Sequence, residues 1–284
     1  MTPTTVTVTS TASAGVGTLR SAILQANANP GADVIAFDIG SGTQEIRVST
    51  DLPAITDRVA IDGRTRGGFA GVPLIRINGF EAGAGTSGIV ILPGGAGPAV
   101  RGVAITQFNG DALRIRANNC RVTGCYIGVL YTGTEELSNA GIGVLIDGGA
   151  RGNGIGSPRA AARNVISGND TNGVLIHGRG TNGNGVADTP SARDGAGVRI
   201  SGGAGGNVLR DNLISTNTEF GVVIDGSSCN AVQGNRIGTT AGGNAAHGQR
   251  RRAQRRRGHP GGTRKRQRRG LQHPRLKRRL GPED

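Results

Sequence analysis

Four side chains that follow a repeating isoleucine carry groups able to do chemistry. They are Asp147, His177, Ser201 and Asp225, and Asp62 occupies a comparable Ile-Asp-Gly setting. A carboxylate beside an imidazole is a general acid–base arrangement. If the segments that carry them are neighbouring β-strands, Asp147 and His177 lie about 5 Å apart, one ladder spacing. Two carboxylates would suit glycoside hydrolysis, although the sequence assigns no separation to any pair. Arg114 and Arg199 sit inside the same segments and are expected to face outward, towards solvent or an anionic glycan. Asp, Ser and His before Gly are also ordinary turn residues. The row therefore nominates Asp147, His177 and Asp225 without assigning them a reaction.

No metal and no cofactor is expected. His177 is the one histidine before residue 247, and no C-x-x-C pair occurs. The Gly- and Asp-rich text never matches the G-G-x-G-x-D calcium repeat. Cys120-Arg-Val-Thr-Gly-Cys125 has the spacing of Asn230-Ala-Val-Gln-Gly-Asn235. Both cysteines thus read as small corner residues rather than zinc ligands or a catalytic thiol. Cys229 stands beside Asn230, and three cysteines make no disulfide framework.

The elements that must position these residues are short and repeated. Gly88-Ile-Val-Ile91, Ala112-Leu-Arg-Ile115, Gly143-Val-Leu-Ile146, Gly173-Val-Leu-Ile176, Gly197-Val-Arg-Ile200 and Gly221-Val-Val-Ile224 form one series. A second series reads Asn164-Val-Ile-Ser-Gly-Asn169, Asn207-Val-Leu-Arg-Asp-Asn212 and Asn230-Ala-Val-Gln-Gly-Asn235. Recurrence every 24 to 31 residues means a solenoid, a propeller or an array. Leucine-rich repeats need a frame absent here, and propeller blades need about 40 residues with more aromatics. Two or three short strands per coil, with Gly and Asn at the bends, describe a parallel β-helix. Val and Ile would stack inward, and Asn at one corner of successive coils would form an amide ladder, Cys120 and Cys125 taking the same places. Two longer coils are expected to carry surface loops, around Tyr131–Glu136 and Gly156–Ala160.

Composition agrees. Gly is 52 of 284 residues, Trp is absent, and Phe plus Tyr total seven, which disfavours a single large aromatic core. No run of 18 apolar residues spans a membrane as a helix. Near the start, Thr4–Ser10 alternates like a strand. Leu19, Ala22, Ile23 and Ala26 then share one helical face, with Thr18 as N-cap and Asn29-Pro30-Gly31 as stop. Residues 1–32 are expected to cap the solenoid, which runs from 33 to 246.

Charge separates the remainder. Residues 1–248 hold 18 Arg, no Lys and 17 acids, whereas 249–284 hold 13 Arg, 2 Lys and 2 acids. Residues 247–284 therefore read as a disordered Arg-rich tail, able to hold nucleic acid or any other polyanion without sequence preference. A slipped reading frame accounts for it more simply. Gly248-Gln-Arg-Arg-Arg252 can be encoded so that the neighbouring frame reads Gly-Asn-Ala-Gly. Gln254–His259 can likewise hide Asn-Gly-Val-Ala-Val-Ile. The coil near Asn230–Gly238 would then present an unpaired strand edge, and self-association is expected.

The stretches TLRSAILQANANPGADVIAF and LPAITDRVAIDG, with the GV-x-I and N-x-[VI]-x-[GD]-N units, resemble secreted and surface-associated right-handed parallel β-helix repeat proteins, mainly bacterial. The resemblance covers residues 4–246. It implies an extracellular or envelope-associated, adhesin-like module with no single settled activity, whose partner would be a polysaccharide or a host or cell-surface glycan. Met1-Thr-Pro-Thr-Thr carries neither the basic nor the apolar region of a signal peptide. Three functional expectations follow: a structural or adhesive module, a polysaccharide lyase or glycoside hydrolase, and a polyanion binder acting through the tail.

Overall fold

A computed structural model of the chain describes residues 3–94, 97–157, 159, 162–189, 191–192 and 194–239. Its strands pair in parallel, each with the equivalent strand one coil away, and the fold is a right-handed parallel β-helix. Among the described residues the strands form three sheets. Sheet A has nine strands, from Thr5–Val8 through Ala32–Phe37 and Arg58–Asp62 to Ala231–Gln233. Sheet B has eight, from Gln44–Arg47, Ile75–Asn78 and Val103–Thr106 to Arg236–Ile237. Sheet C has six, from Ile89–Ile91 to Phe220–Asp225.

Side chains alternate across each strand, so one row per sheet must face the axis. On sheet C that row is Ile91, Ile115, Ile146, Ile176, Ile200 and Ile224, held in register from coil to coil. Sheet A stacks Ile35, Ile61, Val100, Val122, Ile155 and Val186 in the same way. These β-branched columns merge into one continuous core and are buried, except for Ile224 at the far end, which is partly buried.

The helix Leu19–Ala28 closes the N-terminal end of this core. Thr18 Oγ1 accepts from the N–H of Ser21, and Leu19, Ala22, Ile23 and Ala26 are buried against Val8 and Ile35. At the far end the strand edges at 231–233 and 236–237 are mostly exposed. The Arg-rich segment and the proposed frame slip lie outside the described residues, as does part of the loop at 156–160.

Where the chain turns between sheets, buried polar groups satisfy one another. At the corner entering sheet A, Asn184 Oδ1 accepts from the N–H and Nδ2 of Asn153, at 3.0 and 2.9 Å. Asn207 serves Asn184 likewise, and Asn230 serves Asn207. The Nδ2 groups of Asn184, Asn207 and Asn230 also reach backbone carbonyls, of Ala150, Thr181 and Ala204. Cys120 sits at the start of this column, its N–H donating to Asn153 Oδ1 at 2.7 Å. At the corner entering sheet B, the N–H groups of Cys125, Thr189 and Asn212 donate to Asn164, Asn212 and Asn235. A third column follows sheet B, where Asn139 donates to Asn169, and Asn169 to Asp194.

The second series thus differs from its sequence alignment. Asn164 and Asn169 frame a strand of sheet B, Val165–Ser167. Asn207–Asn212 and Asn230–Asn235 frame strands of sheet A. Asn164 consequently stacks with Asn212 and Asn235, and Asn169 joins a different corner. A three-residue strand between two bends gives the same spacing on either sheet, so spacing cannot name the side.

Candidate functional site

His177, Ser201 and Asp225 end consecutive strands of sheet C, and Asp147 and Arg116 directly follow the two strands before them, so the five form one row. The row does not produce the expected Asp147–His177 pair. Asp147 turns to the preceding coil, where Arg114 Nη2 reaches Oδ2 at 2.5 Å and Arg116 Nε reaches Oδ1 at 3.0 Å. His177 turns to the following coil, its Nδ1 lying 3.0 Å from Ser201 Oγ. Two guanidiniums reach the Asp147 carboxylate through charge-assisted hydrogen bonds, which hold it on their side. Burial raises the Asp147 pKa, but the hydrogen bonds and charges of Arg114 and Arg116 outweigh it, so the group titrates below its ordinary value. Asp225 is exposed and stands 4.0 Å from Arg199.

Asp62 belongs to sheet A, not to this row. Its carboxylate holds Arg64 at 2.6 Å and Arg101 at 3.6 Å, and it accepts the Arg64 N–H at the entry to a single 3₁₀ turn. Burial opposes ionisation there too, and the Arg64 and Arg101 interactions override it. Burial pushes the thiols of Cys120 and Cys125 up to about 12, so neither is a ready nucleophile or ligand.

The outer face of sheet B brings together groups that were not singled out in the sequence. Gln44–Arg47 and Ile75–Asn78 alternate, so Ile46, Ile75 and Ile77 are buried inward while Glu45, Arg47, Arg76 and Asn78 share the outer face. Glu45 is the centre of this group. Its Oε1 accepts from Arg47 Nε at 3.0 Å and Asn78 Nδ2 at 2.8 Å, and its Oε2 accepts from Arg76 Nη2. Burial again works against the charge, and the Asn78, Arg76 and Arg47 donors win, leaving the pKa lowered. Arg47 also reaches Glu81 at 3.6 Å.

Local backbone features position the rim. Asn78 Oδ1 accepts the N–H of Phe80 at 2.9 Å, closing a turn that leaves the Phe80 ring 72% exposed. Gly79 between them has no room for a side chain, because a Cβ would stand 2.3 Å from the Phe108 ring. On the other side, Val129 bridges Glu136 and Leu130 N–H donates to Glu135 O at 2.9 Å, making residues 129–136 a small hairpin. Gln107, at φ 61, donates its N–H to Leu137 O at 3.3 Å and ties the base of the hairpin to sheet B. Two hollows of about 330 Å³ each result. Arg47, Asn78, Phe80, Glu81 and Gln107 line one, and Thr43, Gln44, Leu130 and Tyr131 line the other. Glu45 and Arg76 line both, so the two hollows adjoin across this pair and together make the sheet B groove.

Comparison with known proteins gives two findings. Residues 99–246 match the family model described as periplasmic copper-binding protein (NosD). Among solved structures, the crystal structure of pectate lyase Pel9A resembles this chain with a TM-score of 0.44 and 12% sequence identity, over 70% of this chain and 48% of that one. The chain therefore spans about half the length of that structure. No curated protein matches the sequence.

Proposed function

Starting from the family to which this chain belongs, the one described as periplasmic copper-binding protein (NosD), we propose that it works outside the cytoplasm as a structural or adhesive β-helix module that holds its partner without transforming it. The observation that supports this most is the state of the half-buried carboxylates. Glu45, Asp62 and Asp147 are each tied to arginine and held below the usual carboxylate range. None is poised to deliver a proton near neutral pH, which a general acid must do.

Copper does not fit the donor set of the described residues. Among the described residues no three of His, Cys, Asp and Glu converge on a point. His177 is the one described histidine, and Cys120 and Cys125 are buried with raised pKa values. Copper sites are built from imidazole and thiolate or thioether groups brought together.

Cleavage of a polysaccharide is the second reading, favoured by the convergence of Glu45, Arg47, Arg76 and Glu81 on one groove. Against it, the oxygens of Glu45 already accept three side-chain donors, so removing a substrate proton would break that network first. Co-sedimentation with isolated cell-envelope material tests the preferred reading. Retention without release of soluble sugar is expected; failure to sediment with the envelope, or solubilisation of it, would overturn the reading.

A further inference from the structure

The module reading leaves the partner unnamed, and the sheet B groove supplies its chemistry. We propose that this groove is a binding site for a neutral polysaccharide, with sugar rings resting on Phe80 and Tyr131 and hydroxyls held by the Glu45–Arg47–Arg76–Glu81 network. The inference rests on the reading of the chain as a non-catalytic module and specifies its ligand.

Aromatic placement is the first observation. The chain has seven Phe and Tyr and no Trp. Among the described residues, the exposed aromatic rings are Phe80 at 72% and Tyr131 at 38%, and both line this groove. They stand in its two halves, on either side of the shared Glu45–Arg76 pair. An exposed ring offers a flat apolar face to the C–H side of a pyranose, while the polar floor between offers donors and acceptors.

Charge is the second observation. Glu45, Arg47, Arg76 and Glu81 contribute two negative and two positive charges, and each arginine is already paired. A polyanion gains no net attraction there and would have to break those pairs. Hydroxyl groups need not, because a paired carboxylate and guanidinium still accept from and donate to vicinal diols. Arg47 and Glu81 keep 67% and 51% of their side-chain surface open to such contacts.

Rigidity is the third. Asn78 fixes Glu45 through Nδ2 and the backbone of the Phe80 turn through Oδ1, so the turn that carries the ring and the network are held by one side chain. The hairpin at 129–136, carrying Tyr131, is closed by its own backbone hydrogen bonds. A preformed groove of this kind loses little conformational entropy on binding.

Affinity electrophoresis and titration calorimetry of the full chain, in about 0.5 M NaCl to screen the basic tail, test the proposal. The probes are a soluble β-glucan, a xylan, a galactomannan and polygalacturonate. At least one neutral polymer is expected to bind, with Phe80→Ala and Tyr131→Ala each weakening it about tenfold. Arg199→Ala, on sheet C, should leave binding unchanged. Three outcomes would overturn the proposal: no neutral polymer binds, polygalacturonate alone binds, or both ring variants bind like the parent chain. Envelope retention that survives the Phe80→Ala, Tyr131→Ala double variant would sink the groove and leave the module reading standing. Loss of retention by the parent chain itself would sink the module reading.

Discussion

Asn78 Nδ2 lies 2.8 Å from Glu45 Oε1, across one strand spacing of sheet B. The same amide, through Oδ1, holds the N–H of Phe80. Removing it strips a charged acceptor of one donor and leaves a backbone N–H to find another partner. Asn78→Ala is expected to cost about 1–3 kcal/mol in urea unfolding. Gln should recover little of this, because its longer arm cannot keep both bonds. A fully stable Ala variant would show that the bond does not organise the groove.

Asp147 gives a pH prediction. Its folded pKa is lowered from the ordinary 3.8. The stability it contributes is therefore present above the unfolded value and lost as pH falls through the folded one. Melting temperature should decline below about pH 4, and Asp147→Asn should flatten part of that decline. At neutral pH the variant should lose about 1 kcal/mol, a modest figure because Arg114 and Arg116 are partly open to solvent. Equal acid slopes for both proteins would refute the assignment.

The corner ladders predict a larger effect. Asn184 is fully buried and serves the backbone and side chain of Asn153 while bonding Ala150 and Asn207. Asn184→Leu leaves several buried polar groups unsatisfied, at a cost of roughly 2–4 kcal/mol. Chemical denaturation followed by circular dichroism reads this directly, and a loss under about 0.5 kcal/mol would mean the ladder is decorative.

How much of this was legible beforehand can be argued from particular residues. The Ile91–Ile224 column and the Leu19–Ala26 helical face follow from period alone, because inward stacking demands an apolar residue at each return of the chain. Which sheet holds Asn164 did not follow, since three-residue strands between bends look alike on every side. The Asp147 ion pairs depend on partners 31 and 33 residues away, and long flexible arginines choose among several carboxylates. Glu45 and Arg76 lie in early coils that lack the GV-x-I series, so nothing aligned them. The alternation Gln-Glu-Ile-Arg and Ile-Arg-Ile-Asn was the available signal, and it needed the register to become a site.

Thiol chemistry separates the cysteines. Cys229 is exposed, whereas Cys120 and Cys125 are buried. An aromatic disulfide reagent should modify one thiol quickly in the native chain and all three in guanidinium. Fast modification of a second native thiol would contradict the placement of the corner cysteines.

The Arg-rich segment permits a test independent of the fold. The full chain should bind heparin at low salt and release it steeply as salt rises, and deletion of 249–284 should abolish retention. Retention by the deleted chain would place the polyanion site on the solenoid. Reading the coding DNA across codons 240–260 in all three frames decides whether the repeat continues in a neighbouring frame.

On the proposed function, this module holds a polymer without cutting it. The most direct measurement is the release of reducing or unsaturated ends from whichever polysaccharide the chain retains, followed over hours at several pH values. Retention with no ends released above the protein-free control is expected. Ends released at a rate proportional to enzyme, and lost in Glu45→Gln, would contradict it and make the sheet B groove an active site.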